Sequence, residues 1–167
     1  MVPRSIPCLL LVLLIGACQS SSRSTPSDTG LPPLMGRVND YGHILSDEQE
    51  RVLNARLQQH EKATTNQVVI VTLDSLEPFE TIDEYSVNLA NYWKVGQADK
   101  DNGVLIALWA GLRKIRIQNG FGLEERLTDD ETSEIIEKLM APEFLNEHYF
   151  EGLDKGLGAI FYEIESE

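Results

Sequence analysis

The hydrophobic and polar positions of residues 67–118 predict three strands. Two nearly continuous apolar runs, 67–73 and 103–109, are typical of strands that are buried on both faces. A helical segment separates these two runs, so we expect the two strands to pair in parallel. Residues 114–118 alternate polar and apolar side chains, which predicts a half-exposed strand in an antiparallel hairpin with 103–109.

Helical periodicity predicts four helices, and three of them follow a capping box. In a capping box, a Ser or Thr precedes a Glu or Gln by three residues. The boxes begin at Ser46, Thr81 and Thr128. They predict helices over about 46–65, from 81 to a point before Gly96, and from 128 to Pro142, and spacing alone predicts a fourth over about 147–164. The order of these elements predicts an α/β sandwich with a mixed sheet.

The pattern of residues 1–17 predicts a lipoprotein signal peptide. A short start with one positive charge, Arg4, leads into an apolar stretch from Ile6 to Ile15, which is too short to span a bilayer as a helix. Two small residues then precede Cys18, and this arrangement resembles a bacterial lipobox, whose cysteine receives a diacylglyceryl group. The alternative is an ordinary signal peptide with a cysteine near its cleavage point. We expect lipidation at Cys18, because the apolar run ends there and a polar segment begins.

Residues 18–35 predict a lipidated, flexible tether, because they are rich in Ser, Thr, Pro and Gly. One domain, 36–167, would follow it. Two or more acyl chains hold a protein stably on a membrane, so we expect a bacterial cell-envelope protein whose domain is extracytoplasmic. Gln19 follows the cysteine in place of Asp, and by resemblance to known lipoprotein sorting this favours the outer membrane in a bacterium with two membranes.

Composition narrows the classes of partner. The chain has 14 Lys and Arg against 27 Asp and Glu, a formal net charge of −13, and no basic cluster, which argues against nucleic acid. The same charge makes cation binding plausible. Cys8 would leave with the signal peptide and Cys18 would be acylated, so we expect no disulfide. The three histidines lack the spacing of metal ligands, which argues against a zinc site.

The hairpin also predicts where acidic residues meet. A turn between Ala110 and Arg113 fixes a register in which Asp101 lies opposite Gly122. Acidic residues before the second strand are then brought beside those after the third. The residues concerned are Asp99, Asp101, Asn102, Glu124, Glu125, Asp129 and Asp130.

Two interpretations of these acidic residues remain open. Clustered carboxylates repel one another unless a cation joins them, and calcium and magnesium prefer oxygen ligands, so a divalent-cation site is one hypothesis. In the other, Asp99 and Asp101 only form a turn, while Asp129 and Asp130 stabilise a helix N-terminus through its dipole. Spacing alone does not decide between them.

Several short segments, in this order, resemble the TPM-domain family, which includes relatives of a thylakoid-lumen acid phosphatase. They are Val38 to Asp40 with Leu45 and Ser46, Gln67 to Thr72, Asp101 to Leu105, Gly120 to Glu124 with Leu127 to Asp129, and Phe144, Tyr149, Gly152 and Leu153. The resemblance covers about residues 36–160 and implies a Rossmann-like α/β/α sandwich in an extracytoplasmic protein.

The resemblance also implies a function and a set of site residues. It implies a divalent cation, calcium or else magnesium or manganese, held by the matching acidic residues Asp40, Asp101, Glu124 and Asp129. We therefore expect a lipid-anchored module that binds this ion and a cell-envelope partner protein. The alternative is a metal-dependent acid phosphatase acting on phosphomonoesters, since a plant relative is linked to that activity. In that case Asp101 and Asp129 would hold the ion, and Glu124 or Asp40 would orient the attacking water.

Overall fold

The computed structural model describes residues 29–165. The predicted signal peptide, Cys18 and tether residues 18–28 lie outside these residues. The strands are β1 Val38–Asp40, β2 Gln67–Leu73, β3 Gly103–Trp109 and β4 Lys114–Asn119. The α-helices are α1 Asp47–Thr64, α2 Ile82–Trp93, α3 Asp129–Ile135, α4 Ala141–Phe144 and α5 Tyr149–Glu165.

The four strands form one mixed sheet in the order β1-β2-β3-β4. The first three strands are parallel, and β4 pairs antiparallel with β3. The predicted hairpin register is confirmed, because Val104 pairs with Asn119 and the Gly122 amide donates to the Asp101 carbonyl at 3.2 Å. The predicted α/β fold with an antiparallel hairpin in a mixed sheet is therefore confirmed. Strand β1 was not predicted, since three residues are too few to show a period.

The predicted caps begin three of the helices. The side chains of Ser46, Thr81 and Thr128 each accept a hydrogen bond from the backbone amide three residues later, at 3.1 to 3.3 Å. The prediction that the helix from 128 ends at Pro142 is wrong, because the chain stays helical to Phe144. Helix α3 ends at Ile135, a wider π-helical turn follows over Ile136–Met140, and Pro142 lies in the first turn of α4. Proline is tolerated there because a first-turn residue needs no amide proton.

Both faces of the sheet are buried, as the apolar runs predicted. Alternate residues of β2 and β3, such as Ile70 and Ile106, pack against α1, α3, α4 and α5. The intervening residues, such as Val71 and Leu105, pack against α2. Helices α1 and α2 thus cover opposite faces, although the strands follow one another in one direction across the sheet. The two crossovers therefore have opposite hands, and one of them departs from the usual right-handed rule.

Residues 30–35 pack beside α2, and we name this segment the strap. Leu31 joins the core between α2 and the sheet. Trp93 Nε1 donates a hydrogen bond to the Pro32 carbonyl at 2.8 Å, and the Tyr41 hydroxyl donates to the Pro33 carbonyl. The tether was predicted to extend to residue 35, but its last residues contact the domain because their apolar and carbonyl groups find partners there. Within residues 29–165, no helix combines the length and the apolar character needed to cross a membrane.

Candidate functional site

A cleft opens between α2 and β4 on the face of the sheet that α2 covers. We name it the amino-edge cleft, because it lies where β3 begins. Its volume is about 340 Å³. Carboxylates, side-chain amides and apolar groups line it: Asp101, Glu124, Asn91, Gln118, Asn119, Val87, Ala90, Val95, Leu105 and Phe121, with Gly103 and Gly120. No Lys, Arg or His belongs to this lining, so the cleft is anionic.

The turn before β3 positions Asp101. Its backbone is left-handed, with φ of 47°, a conformation that Asp and Asn adopt more readily than most residues. The next residue, Asn102, is buried, and its side chain fixes the turn by two hydrogen bonds. Its Nδ2 donates to the Thr65 carbonyl at 2.9 Å, and its Oδ1 accepts from the Gln97 amide at 2.9 Å. The Asp101 side chain is thereby left exposed at the mouth of the cleft.

Two glycines after β4 allow a second turn to approach the first. A Cβ atom at Gly120 would lie 2.2 Å from the Asp101 carbonyl oxygen, and one at Gly122 would lie 1.9 Å from the Lys100 carbonyl oxygen. Any other residue at either position would push the two turns apart. This close approach is what brings Glu124 into the same cleft as Asp101.

Asp40 lies at the other edge of the sheet. It pairs with Thr72, which is level with Leu108 of β3, whereas Asp101 lies before Gly103 at the start of β3. The rise from Gly103 to Leu108 alone separates the two residues by about 17 Å along the strands. The Asp40 carboxylate accepts hydrogen bonds from the amides of Ile44 at 3.2 Å and Leu45 at 3.0 Å, and from the Thr72 hydroxyl. It therefore holds the loop that leads into α1, which corrects the expectation that it joins Asp101.

Asp129 begins α3, and its side chain is 90% exposed. Its Oδ1 lies 3.7 Å from Nη2 of Arg116, whose Nε lies 3.5 Å from Oδ1 of Asp83. Asp129 therefore faces the positive charge of Arg116. It is not among the residues that line the amino-edge cleft. Its place in the first turn of a helix agrees with the dipole interpretation of this residue.

The sequence profile described as the TPM domain matches residues 38–163. The chain belongs to the TPM domain family.

Solved structures of bacterial proteins are similar to this TPM domain. The N-terminal domain of a protein from P. gingivalis is 34% identical, with a TM-score of 0.69 over 77% of this chain and 81% of that one. The N-terminal domain of a protein from Corynebacterium glutamicum is 15% identical, with a TM-score of 0.60 over 86% and 91%. The BA42 protein from Bizionia argentinensis is 17% identical, with a TM-score of 0.63 over 72% and 81%. The last two share the fold alone. No functionally curated protein matches the chain.

The four acidic residues carried over from the family resemblance do not converge in this TPM domain. Within the described part of the chain, no group of three or more His, Cys, Asp or Glu side chains is placed to hold a metal ion. Asp101 and Glu124 share the amino-edge cleft, and Asp40 and Asp129 lie elsewhere. Two carboxylates beside amide oxygens suit a hard cation that keeps several water ligands, so the donor types fit calcium or magnesium.

Sequence reasoning missed the part of the cleft that α2 contributes. Val87, Ala90 and Asn91 line it at helical spacing, but no sequence pattern shows which strand a helix face will meet. It also missed Phe121, which is 80% exposed at the rim. The sequence offered one signal for Phe121, because this aromatic residue lies between two glycines of a family motif.

Proposed function

We propose that this TPM domain is a lipid-anchored, extracytoplasmic binding module that takes up a divalent cation in the amino-edge cleft. Calcium is the expected ion, with magnesium and manganese as alternatives, and the loaded domain binds a protein partner in the bacterial cell envelope. The observation that carries the proposal is the cleft lined by Asp101 and Glu124 without a basic side chain.

Electrostatics supports this choice of ligand. Two exposed carboxylates in one cleft of a chain with a net charge of −13 repel each other and attract positive ions. A divalent ion removes that repulsion and gains oxygen ligands, including the side-chain amide oxygen of Gln118. An ion that binds only the folded state stabilises it by about 2.7 kcal/mol at a hundredfold excess over its dissociation constant.

Calcium titration of the protein, by calorimetry and by the shift in melting temperature, tests the ion site. We expect Asp101→Asn and Glu124→Gln each to weaken calcium binding at least tenfold, because each removes one charge from the cleft. Asn tolerates the left-handed backbone of residue 101, so the first variant should keep the fold. Asp130→Asn, an exposed carboxylate outside the cleft, is the matched control. Calcium binding that is equal in all four proteins would refute the site.

Phosphomonoester hydrolysis has no specific observation in its favour. The cleft lining contains no Ser, Thr, Cys or His to act as a nucleophile, and no cationic side chain to attract a phosphate. Release of phosphate from p-nitrophenyl phosphate that requires both a divalent ion and Asp101 would make this TPM domain an enzyme instead of a binding module.

A further inference from the structure

The strap carries the chain from the carboxyl edge of the sheet to the side of β1. At its start, an ideal Cβ on Gly30 would lie 2.7 Å from Cδ of Pro78, in the loop that follows the carboxyl end of β2. At its end, the Met35 amide donates to Oδ1 of Asn39, the middle residue of β1, at 2.8 Å. Six residues at about 3.3 Å each span about 20 Å, which is also the length of β3.

Specific contacts along α2 and β1 hold the strap in this path. Trp93, in the last turn of α2, donates to the Pro32 carbonyl, and Tyr41, just after β1, donates to the Pro33 carbonyl. Between these bonds and Pro78, Leu31 packs into the core beneath α2. The chain therefore reaches the domain at the carboxyl edge. If the strap were released, the chain would instead enter at Gly36, which is bonded to Asn39 beside the middle of the sheet.

The amino-edge cleft lies on the opposite side from this entry point. Asp101 precedes β3 and Glu124 follows β4, whereas Gly30 contacts the loop beyond the end of β2. The two edges are about 20 Å apart along the strands. Ten residues, 19–28, separate Cys18 from Thr29, so the described domain begins at most about 40 Å from the cysteine.

We infer that the strap turns the carboxyl edge of the sheet toward the membrane and presents the amino-edge cleft to the aqueous space on the far side. This inference rests on the proposed lipid at Cys18. It defines the partner more closely: a protein that meets the cleft and the exposed ring of Phe121 from the aqueous side, not a headgroup of the anchoring membrane. Trp93 and Tyr41 are then positioning residues for this orientation.

Energy transfer from the domain to a bilayer tests the orientation. The lipidated protein is reconstituted in phosphatidylethanolamine and phosphatidylglycerol vesicles that contain a rhodamine lipid, with fluorescein on one introduced cysteine. Ser75→Cys labels the carboxyl edge and Glu125→Cys labels the amino edge; both positions are exposed and neither lines the amino-edge cleft. We expect residue 75 to lie closer to the bilayer on average, by up to about 20 Å. Equal or reversed distances would overturn the inference.

The contribution of the strap is tested in the same vesicles. Trp93→Phe combined with Tyr41→Phe removes two hydrogen bonds of the strap and keeps an aromatic ring at each position. We expect the difference between the two labelled positions to shrink in this variant and to persist in Tyr149→Phe, a matched change on α5. A double variant that keeps the full difference would show that the strap does not set the orientation.

Vesicle flotation distinguishes failure of the anchor from failure of the orientation. The wild type should float with the vesicles, and Cys18→Ser should not. A wild-type protein that fails to float refutes the proposed lipid, and the orientation with it. A protein that floats with equal transfer from both positions refutes the orientation alone.

Discussion

His60 is an ionisable residue held away from water at the interface of α1 and α5. Its side chain is 3% exposed, its ring stacks on Phe161 at 3.8 Å, and its Nδ1 lies 2.9 Å from Oε1 of Glu165. Burial lowers the pKa of His60 from its ordinary value of 6.5, and the Glu165 carboxylate partly opposes this. The neutral ring is therefore the form that the folded domain favours.

This lowered pKa makes stability depend on pH. Below about pH 6.5 the unfolded chain binds a proton that the folded domain takes up only at lower pH, so the free energy of unfolding decreases as pH falls. We expect urea midpoints between about pH 7.5 and 5.5 to show this loss, and His60→Gln to reduce it. His148→Gln, at an exposed histidine, is the control. A pH dependence that is unchanged in His60→Gln would contradict the assignment.

Asp40 has a structural role that a single substitution can separate from ion binding. Asp40→Ala leaves the amides of Ile44 and Leu45 and the Thr72 hydroxyl without their acceptor, which should lower the free energy of unfolding by about 2–4 kcal/mol. Urea denaturation measures this loss, and calorimetry should show unchanged calcium affinity for the folded fraction. If Asp40→Ala instead kept the stability of the wild type but lost calcium affinity, Asp40 would be a ligand of the ion.

At the scale of elements, the contact between the two turns at the amino edge determines the shape of the cleft. The hairpin register that forms this contact could be predicted, because a short turn and a period of two fix which residues face each other. The wider π-helical turn between α3 and α4 could not be predicted. This turn and α4 pack closely against α5, where Cβ atoms at Gly152 and Gly156 would lie 2.3 and 2.6 Å from Phe144 and Met140, and no local pattern shows such a long-range contact.

Gly122→Ala tests the close approach of the two turns. The added methyl group would lie 1.9 Å from the Lys100 carbonyl oxygen, so the turns must separate. We expect a loss of stability of about 1–3 kcal/mol and weaker calcium binding, because Glu124 moves away from Asp101. Gly111→Ala is the matched control, since its Cβ would lie 3.6 Å from the nearest atom, Nε1 of Trp109. Two variants of equal stability would contradict this account.

At the scale of the whole molecule, sequence patterns predicted the layers of helices and sheet. They did not predict which residues lie at the amino and carboxyl ends of the strands. The apolar runs fixed which strands are buried, because burial on two faces leaves few polar positions. The position of Asp40 was misjudged, since a motif shows that residues recur together and not which edge of the sheet they occupy. The strap was missed because Pro, Ser and Gly content signals a linker, even though Leu31 packs against the core and the carbonyls of Pro32 and Pro33 accept hydrogen bonds.

The pairing of α1 with α5 has a consequence for how the chain is made. Arg56 on α1 pairs with Asp154 on α5, and His60 pairs with Glu165 in its last turn. Leu53 and Leu57 of α1 share their core with Leu153 and Leu157. A nascent chain that lacks α5 therefore exposes the apolar face of α1 to water. The domain can bury this core only after α5, its last helix, has been synthesised.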